Sequence, residues 1–98
     1  MSYWIHPNAE GELGDAAVYY ATHASNMIAA AFLAEYERVI ELLVENQQRG
    51  PHGEAGLRVY HFDRFPYTVV HEVDEIKGPQ IFAVAHQSRE PGYWSDRT

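Results

Sequence analysis

The chain has 98 residues, 46% of them hydrophobic and 21% charged, enough apolar content to build one core and too much to stay disordered. Seven Lys and Arg against fourteen Asp and Glu give a formal charge of −7. That excludes a free-standing nucleic-acid binder and a polybasic membrane-surface protein, since both need a surplus of cations. The absence of cysteine excludes a disulfide framework, a thiolate nucleophile and Cys-ligated zinc.

From the N-terminus, Tyr3-Trp4-Ile5 is expected to form a short strand before Pro7. Pro7 suits the first turn of a helix, and Glu10, Glu12 and Asp15 lie where acids complement the helix dipole. Ala9, Leu13, Ala16, Ala17 and Tyr20 recur at spacings of three and four, which makes one face apolar. Gly11 and Gly14 each weaken this helix by roughly 1 kcal/mol relative to Ala, so packing must hold it.

Thr22 to Asn26 is the predicted turn, with Ser25 or Asn26 capping a second helix. That helix carries Ile28, Ala31, Phe32, Glu35, Val39, Leu42 and Leu43 at helical spacing, with Glu35 again, and Glu37, Arg38, Glu41 and Glu45, on its remaining faces. It is expected to run to Gln47 or Gln48, before Gly50-Pro51-His52-Gly53 ends it. From Leu57 the period becomes two. Leu57–Phe62, Tyr67–Val73 and Gln80–His86 read as strands joined by short hairpin connections. The predicted fold is α+β: a two-helix antiparallel hairpin packed on a small three- or four-stranded antiparallel sheet, one domain over residues 1–98.

The start of the chain lacks the basic and apolar regions of a secretory leader. The longest apolar stretch, Met27 to Ala34, falls far short of the about 20 residues of a membrane span. A cytoplasmic, soluble protein with no membrane contact is expected. Charge divides along the chain: residues 1–48 hold seven acids and one base, Arg38, while the other six bases follow from Arg49 onward. Any anionic partner should therefore meet the sheet side.

Six histidines suggest metal binding, but no pair has the i, i+4 spacing of a helical zinc site. Tight hairpins would align His61, Thr68 and His86 across three strands, leaving the two histidines roughly 10 Å apart. No metal site is predicted. Tight pairing also puts Arg58, Tyr60, Phe62, Tyr67, Val69 and His71 on one sheet face, expected to be exposed and suited to a partner. Leu57, Val59, Val70, Phe82 and Val84 would occupy the other, beneath the helices. In the tail, His86, Arg89 and Tyr93 could supply base, charge stabiliser and acid for RNA cleavage, while Tyr93 and Trp94 could stack on bases. The plainer reading folds Trp94 back on the sheet and pairs Arg89 with a carboxylate.

Several segments, in order, resemble the RelE/ParE toxin family of type II toxin–antitoxin systems. His6-Pro7-Asn8-Ala9 through Leu13 resembles the family's opening, Ala17-Val18-Tyr19-Tyr20 its first helix, and Phe32-Leu33-Ala34-Glu35 its second. Arg64-Phe65-Pro66-Tyr67 resembles its hairpin, and Ala83-Val84-Ala85-His86 through Trp94 its terminal A-V-A-H-x-x-R-x-P-x-Y-W signature. The resemblance implies a toxin of the plasmid-stabilization type with no cofactor. It would be neutralised in a hetero-oligomer by a cognate antitoxin of the ribbon-helix-helix type.

Within such a family, RelE-like members cut mRNA on the ribosome and ParE-like members poison DNA gyrase by protein contact. Arg58, Arg64, Arg89 and Tyr93 fall where RelE-like members carry functional groups. The terminal signature and the acidic balance favour the ParE-like branch. On that branch no residue is catalytic, and Arg58, Tyr60, Phe62, Arg64, Tyr67, His86, Arg89, Tyr93 and Trp94 serve antitoxin or target binding. A non-toxic, regulatory member is the third expectation.

Overall fold

A computed structural model describes residues 3–51 and 56–97. Strand β1 is Trp4–Ile5, and His6 then turns the chain into helix α1, Pro7–His23. The His6 imidazole accepts the Asn8 N–H at 3.0 Å, and Pro7 occupies a first-turn position that has no N–H to satisfy. Helix α2, Asn26–Glu45, is capped by Ser25, whose Oγ accepts the Ile28 N–H at 3.1 Å. It ends at Glu45, short of the expected Gln47 or Gln48. Asn46 leaves the helical backbone region, and the Gln47 side chain is used elsewhere, exchanging two hydrogen bonds of 2.8 Å with the backbone of Asp74. The predicted break over Gly50–Gly53 lies partly outside the described residues, at positions 52 and 53.

Strands β2 (Arg58–His61), β3 (Tyr67–Glu72) and β4 (Gln80–His86) form consecutive antiparallel hairpins, as expected. The sheet order is β1-β4-β3-β2, and β1 pairs with β4 in parallel, so the sheet is mixed where the period-two reading expected only antiparallel pairs. β1 and β4 come from opposite ends of the chain, and the long connection between them, which begins with α1, allows a parallel pairing that no hairpin could make. A glycine shapes the turn after α2. Gly50 has φ +85°, and a Cβ there would land on the Val59 carbonyl oxygen.

Val84 lies beneath the helices as expected, but the two sheet faces are otherwise the reverse of the expectation. Tyr60, Phe62, Tyr67 and Val69 do share a face with one another, but that face lies under the helices, against Phe32, Tyr36, Val39, Ile40 and Leu43. Leu57, Val59, Val70 and Phe82 lie on the outer face, which Tyr93 and Trp94 of the tail cover. Both faces are apolar, and the aromatic set is the one that can reach between the helices: Phe32 meets Phe62, Phe65 and Tyr67 at ring-centroid distances of 5.1–5.6 Å.

In β4 the strict alternation fails. Val70 pairs with Ala83 and His71 with Ile81, so Phe82 is the extra residue of a β-bulge. Ile81 and Val84 consequently face the helices together, while Phe82, Ala83 and Ala85 face outward. No described helix is long and apolar enough to cross a membrane.

Candidate functional site

The end of β4 and the tail are joined by a dense set of hydrogen bonds centred on Glu12. β1 covers β4 only as far as Ile81, leaving the following edge groups without a strand partner. Glu12, one helical turn into α1, reaches that edge: its Oε1 accepts the Val84 N–H at 3.0 Å. Arg97 closes the same edge from the tail, donating to the Phe82 carbonyl at 2.8 Å and to both carboxylate oxygens of Glu12 at 3.0 Å. The Tyr93 hydroxyl donates to Glu12 Oε2 at 2.7 Å, and Arg89 approaches the same oxygen at 3.4 Å. One carboxylate therefore joins α1, β4 and the tail.

This arrangement fixes the chemistry of its members. Burial, and then the bond to Glu12, push the Tyr93 phenol well above its ordinary pKa. The Arg97 guanidinium is likewise raised, chiefly by its hydrogen bonds to Glu12. Arg89 lies 3.8 Å over the Tyr93 ring and Arg97 lies 5.1 Å from it, two cation–π contacts on one phenol. A phenol held protonated against a carboxylate is poorly matched to acid–base work at neutral pH. The plainer reading of the tail holds for its geometry: Arg89 pairs with a carboxylate and Trp94 folds back on the sheet.

The other predicted site residues are dispersed. Arg58 caps the connection after α2, donating to the Gln48 carbonyl and side chain and to the Gly50 carbonyl at 2.9–3.0 Å. Arg64 extends into solvent beside Glu35, 3.5 Å away. Tyr60 and Tyr67 are half-buried and Phe62 is buried, so the aromatic face expected to meet a partner is core. His61 does bond Thr68, at 2.7 Å, but His86 stands opposite Tyr67 and not Thr68, because the β3–β4 register is one residue from that assumed.

His86 is the predicted residue best placed to meet a partner. Its ring stands edge-on to Tyr67 at 5.1 Å, and its Nδ1 accepts the Ser88 N–H at 3.1 Å, with Ser88 Oγ at 2.7 Å. A backbone N–H can only donate, so Nδ1 is bare and Nε2 carries the proton. His86 and Arg89 both line two shallow clefts, of about 230 Å³ towards Glu12, Tyr19 and Tyr67 and about 310 Å³ towards His61, Pro91 and Trp94. Among the described residues, no three His, Cys, Asp or Glu side chains are grouped to hold a metal ion.

Two residues that organise these features escaped the sequence reading. Glu12 read as one of several first-turn acids, and Arg97 only as one cation among six. Glu35 is a third: it is buried on α2, where its Oε2 accepts the N–H groups of Asp63 and Arg64.

Comparison with solved structures finds this fold in a chain of the chromosomal ParDE TA system from P. aeruginosa, with a TM-score of 0.75. The match covers 88% of this chain and 95% of that one at 22% sequence identity, so the likeness is one of fold. No curated protein matches the sequence. The family described as ParE toxin of type II toxin-antitoxin system, parDE, matches over residues 3–91, a span holding both helices, all four strands and the Glu12-anchored edge of β4. The chain belongs to the ParE toxin family of type II toxin–antitoxin systems.

Proposed function

We propose that this chain is the toxin of a type II toxin–antitoxin pair, held silent by a cognate antitoxin, and that when free it inhibits DNA gyrase by protein contact without cutting RNA. The observation that carries this reading is the engagement of Tyr93 by Glu12. The one tail phenol suited to acid–base work donates its proton to a carboxylate, under two guanidiniums. Arg58, another of the groups a nuclease would use, is bound to carbonyls behind α2. A formal charge of −7 also opposes docking into an RNA-lined cleft. Contact with a protein target needs no activated group. The ridge of His86 and Arg89 between two clefts, with Trp94 beside one, supplies the kinds of residue that anchor such contacts.

The test is induction of this chain without its antitoxin, scored for filamentation and for pulse-labelled protein synthesis, beside supercoiling by purified gyrase. Filamentation with translation intact, blocked supercoiling, and toxicity that survives Tyr93→Phe are the expected results. Immediate translation arrest that Tyr93→Phe or Arg89→Ala abolishes would establish a ribonuclease instead. Unimpaired growth would leave a regulatory protein.

A further inference from the structure

The outer face of the sheet has two ends, and Tyr93 and Trp94 pack over one of them, against Leu57, Val70, Ala83 and Ala85. At the other end a cleft of about 440 Å³ is lined by Trp4, Glu72, Lys77, Gln80, Phe82 and Arg97. Strand pairing builds its base. Trp4 stands opposite Gln80 and Gln80 opposite Glu72, so these side chains form one rung across β1, β4 and β3 and share a face. Phe82, the bulge residue, adds a second ring 5.7 Å from Trp4 and at 67° to it, which makes an aromatic corner. None of the six residues lines either cleft beside His86.

What sets this cleft apart from the Glu12 cluster is the number of polar groups it leaves unengaged. Among the described residues the Glu72 carboxylate, the Gln80 amide and the Trp4 indole N–H have no hydrogen-bonding or ionic partner. Arg97 gives three of its five N–H groups to Glu12 and the Phe82 carbonyl, and two remain. The same bonds hold its guanidinium still, so a further acceptor costs it little freedom. Lys77, the chain's only lysine, stands on a turn fixed by Asp74, whose Oδ1 accepts the Lys77 N–H at 2.8 Å. Trp4 itself is 43% exposed. An aromatic wall with a few convergent polar groups is how small-molecule sites are built.

The charges decide the class of ligand. Lys77 and Arg97 oppose a simple organic cation, which the aromatic corner and Glu72 alone would favour. Glu72, the Glu12 carboxylate behind Arg97 and the formal charge of −7 oppose a polyanion. A zwitterion meets both signs. We infer that this cleft binds a free aromatic α-amino acid, with its ring against Trp4 and Phe82, its carboxylate towards Arg97 and Lys77, and its ammonium towards Glu72. The backbones of β1 and β3 stand roughly 10 Å apart, a width that one such molecule bridges between their side chains. Binding joins β1, the β3–β4 turn and the tail, and so stabilises the folded chain. The inference stands whether or not gyrase is the target.

The probe is L-phenylalanine, titrated into the full isotope-labelled chain and followed by nuclear magnetic resonance. The chain has two tryptophans, so two indole N–H signals report the two ends of the sheet face, and Trp4→Phe assigns them. The Trp4 signal should move and saturate at about millimolar ligand, as suits so small a molecule in an open cleft, while the Trp94 signal stays in place. 3-Phenylpropionate, which lacks the ammonium, and 2-phenylethylamine, which lacks the carboxylate, should each bind about fivefold more weakly. Glu72→Gln should weaken L-phenylalanine by a similar factor without weakening 3-phenylpropionate. Lys77→Gln should weaken L-phenylalanine without weakening 2-phenylethylamine. Glu75→Gln makes the same charge change outside the cleft and should leave all three ligands unaffected.

All three substituted side chains are exposed, and the spectra show directly that each variant is folded. Either analogue binding as tightly as L-phenylalanine, or equal losses in Glu72→Gln and Glu75→Gln, would overturn the inference. So would a Trp4 signal unmoved at about 20 mM L-phenylalanine. Adenosine monophosphate moving that signal at lower concentration than L-phenylalanine does would make the cleft an anion site and the inference wrong. A Trp4 signal that shifts with protein concentration alone would assign this face to a second copy, and would equally sink it.

Discussion

Glu12 and Arg97, 85 residues apart in sequence, meet through two hydrogen bonds of 3.0 Å. Each side chain is at most 14% exposed, and each also bonds the uncovered edge of β4, at Val84 and Phe82. The pair does for this edge what a longer β1 would do: it satisfies backbone groups that would otherwise invite another strand. It also ties down Tyr93 and, through it, the aromatic cover on the outer face of the sheet.

Removing one half of this pair should be costly, because it leaves a largely buried charge without its main counter-ion. Arg97→Ala is expected to lower stability by about 2–4 kcal/mol and Glu12→Ala by a similar amount. Loss of the tail's anchor should also move Trp94 towards water, so the tryptophan emission of Arg97→Ala should shift to longer wavelength below the unfolding transition. Arg89→Ala removes a 3.4 Å contact of a half-exposed side chain and its cation–π contact with Tyr93, and should cost only about 1 kcal/mol. Urea titration of the three variants separates the cases. Equal, small losses would mean that Glu12 and Arg97 do not fasten the tail.

The elements of this fold were legible because each has its own period: three to four in α1 and α2, two in β2 to β4. Which sheet face meets the helices was not, because both sets, Tyr60-Phe62-Val69 and Leu57-Val59-Val70, are apolar. Alternation names the sets and is silent on which is inside. The bulge at Phe82 was hidden for a related reason, since an extra residue in a uniformly apolar strand leaves no break in the pattern. Glu12 and Glu35 were misread because their partners are distant in sequence, Arg97 for the one and the Asp63–Arg64 backbone for the other. An acid on a helix reads as solvent-facing unless the chain that returns to it is known.

Glu35 offers a sharper test of such a buried acid. Its carboxylate accepts two adjacent backbone N–H groups, those of Asp63 and Arg64, and so fixes the β2–β3 connection from α2. Glu35→Ala leaves both donors without their acceptor and is expected to cost about 2–4 kcal/mol. Glu35→Gln keeps a carbonyl oxygen in place and should lose about half as much. Arg64→Ala should be nearly silent, because that side chain is 75% exposed. Amide exchange at Asp63 and Arg64 gives the local readout: faster in Glu35→Ala and unchanged in Arg64→Ala. Protected amides in Glu35→Ala would show that the connection holds itself.

His71 sets an acid limit on the fold. It is fully buried on β3, neither ring nitrogen has a hydrogen-bonding partner among the described residues, and Arg58 stands opposite it on β2. Burial, with a smaller contribution from Arg58, lowers its pKa from 6.5 to about 4, and the nearby Arg49 backbone offsets only part of this. The native state therefore keeps the imidazole neutral while the unfolded chain protonates it at the ordinary value. Stability is unaffected above about pH 6.5 and falls as the pH drops towards 4, because the unfolded state then binds the extra proton. The accumulated loss should reach about 3 kcal/mol near pH 4. His71→Leu removes both the titration and two unsatisfied nitrogens, so it should match or exceed the parent at neutral pH and lose less on acidification. All other ionisable groups are common to the two proteins, so their effect cancels in the difference. Urea midpoints of the two proteins measured between about pH 4 and 7 decide the matter. Parallel curves would show that His71 is protonated in the fold and finds a partner there.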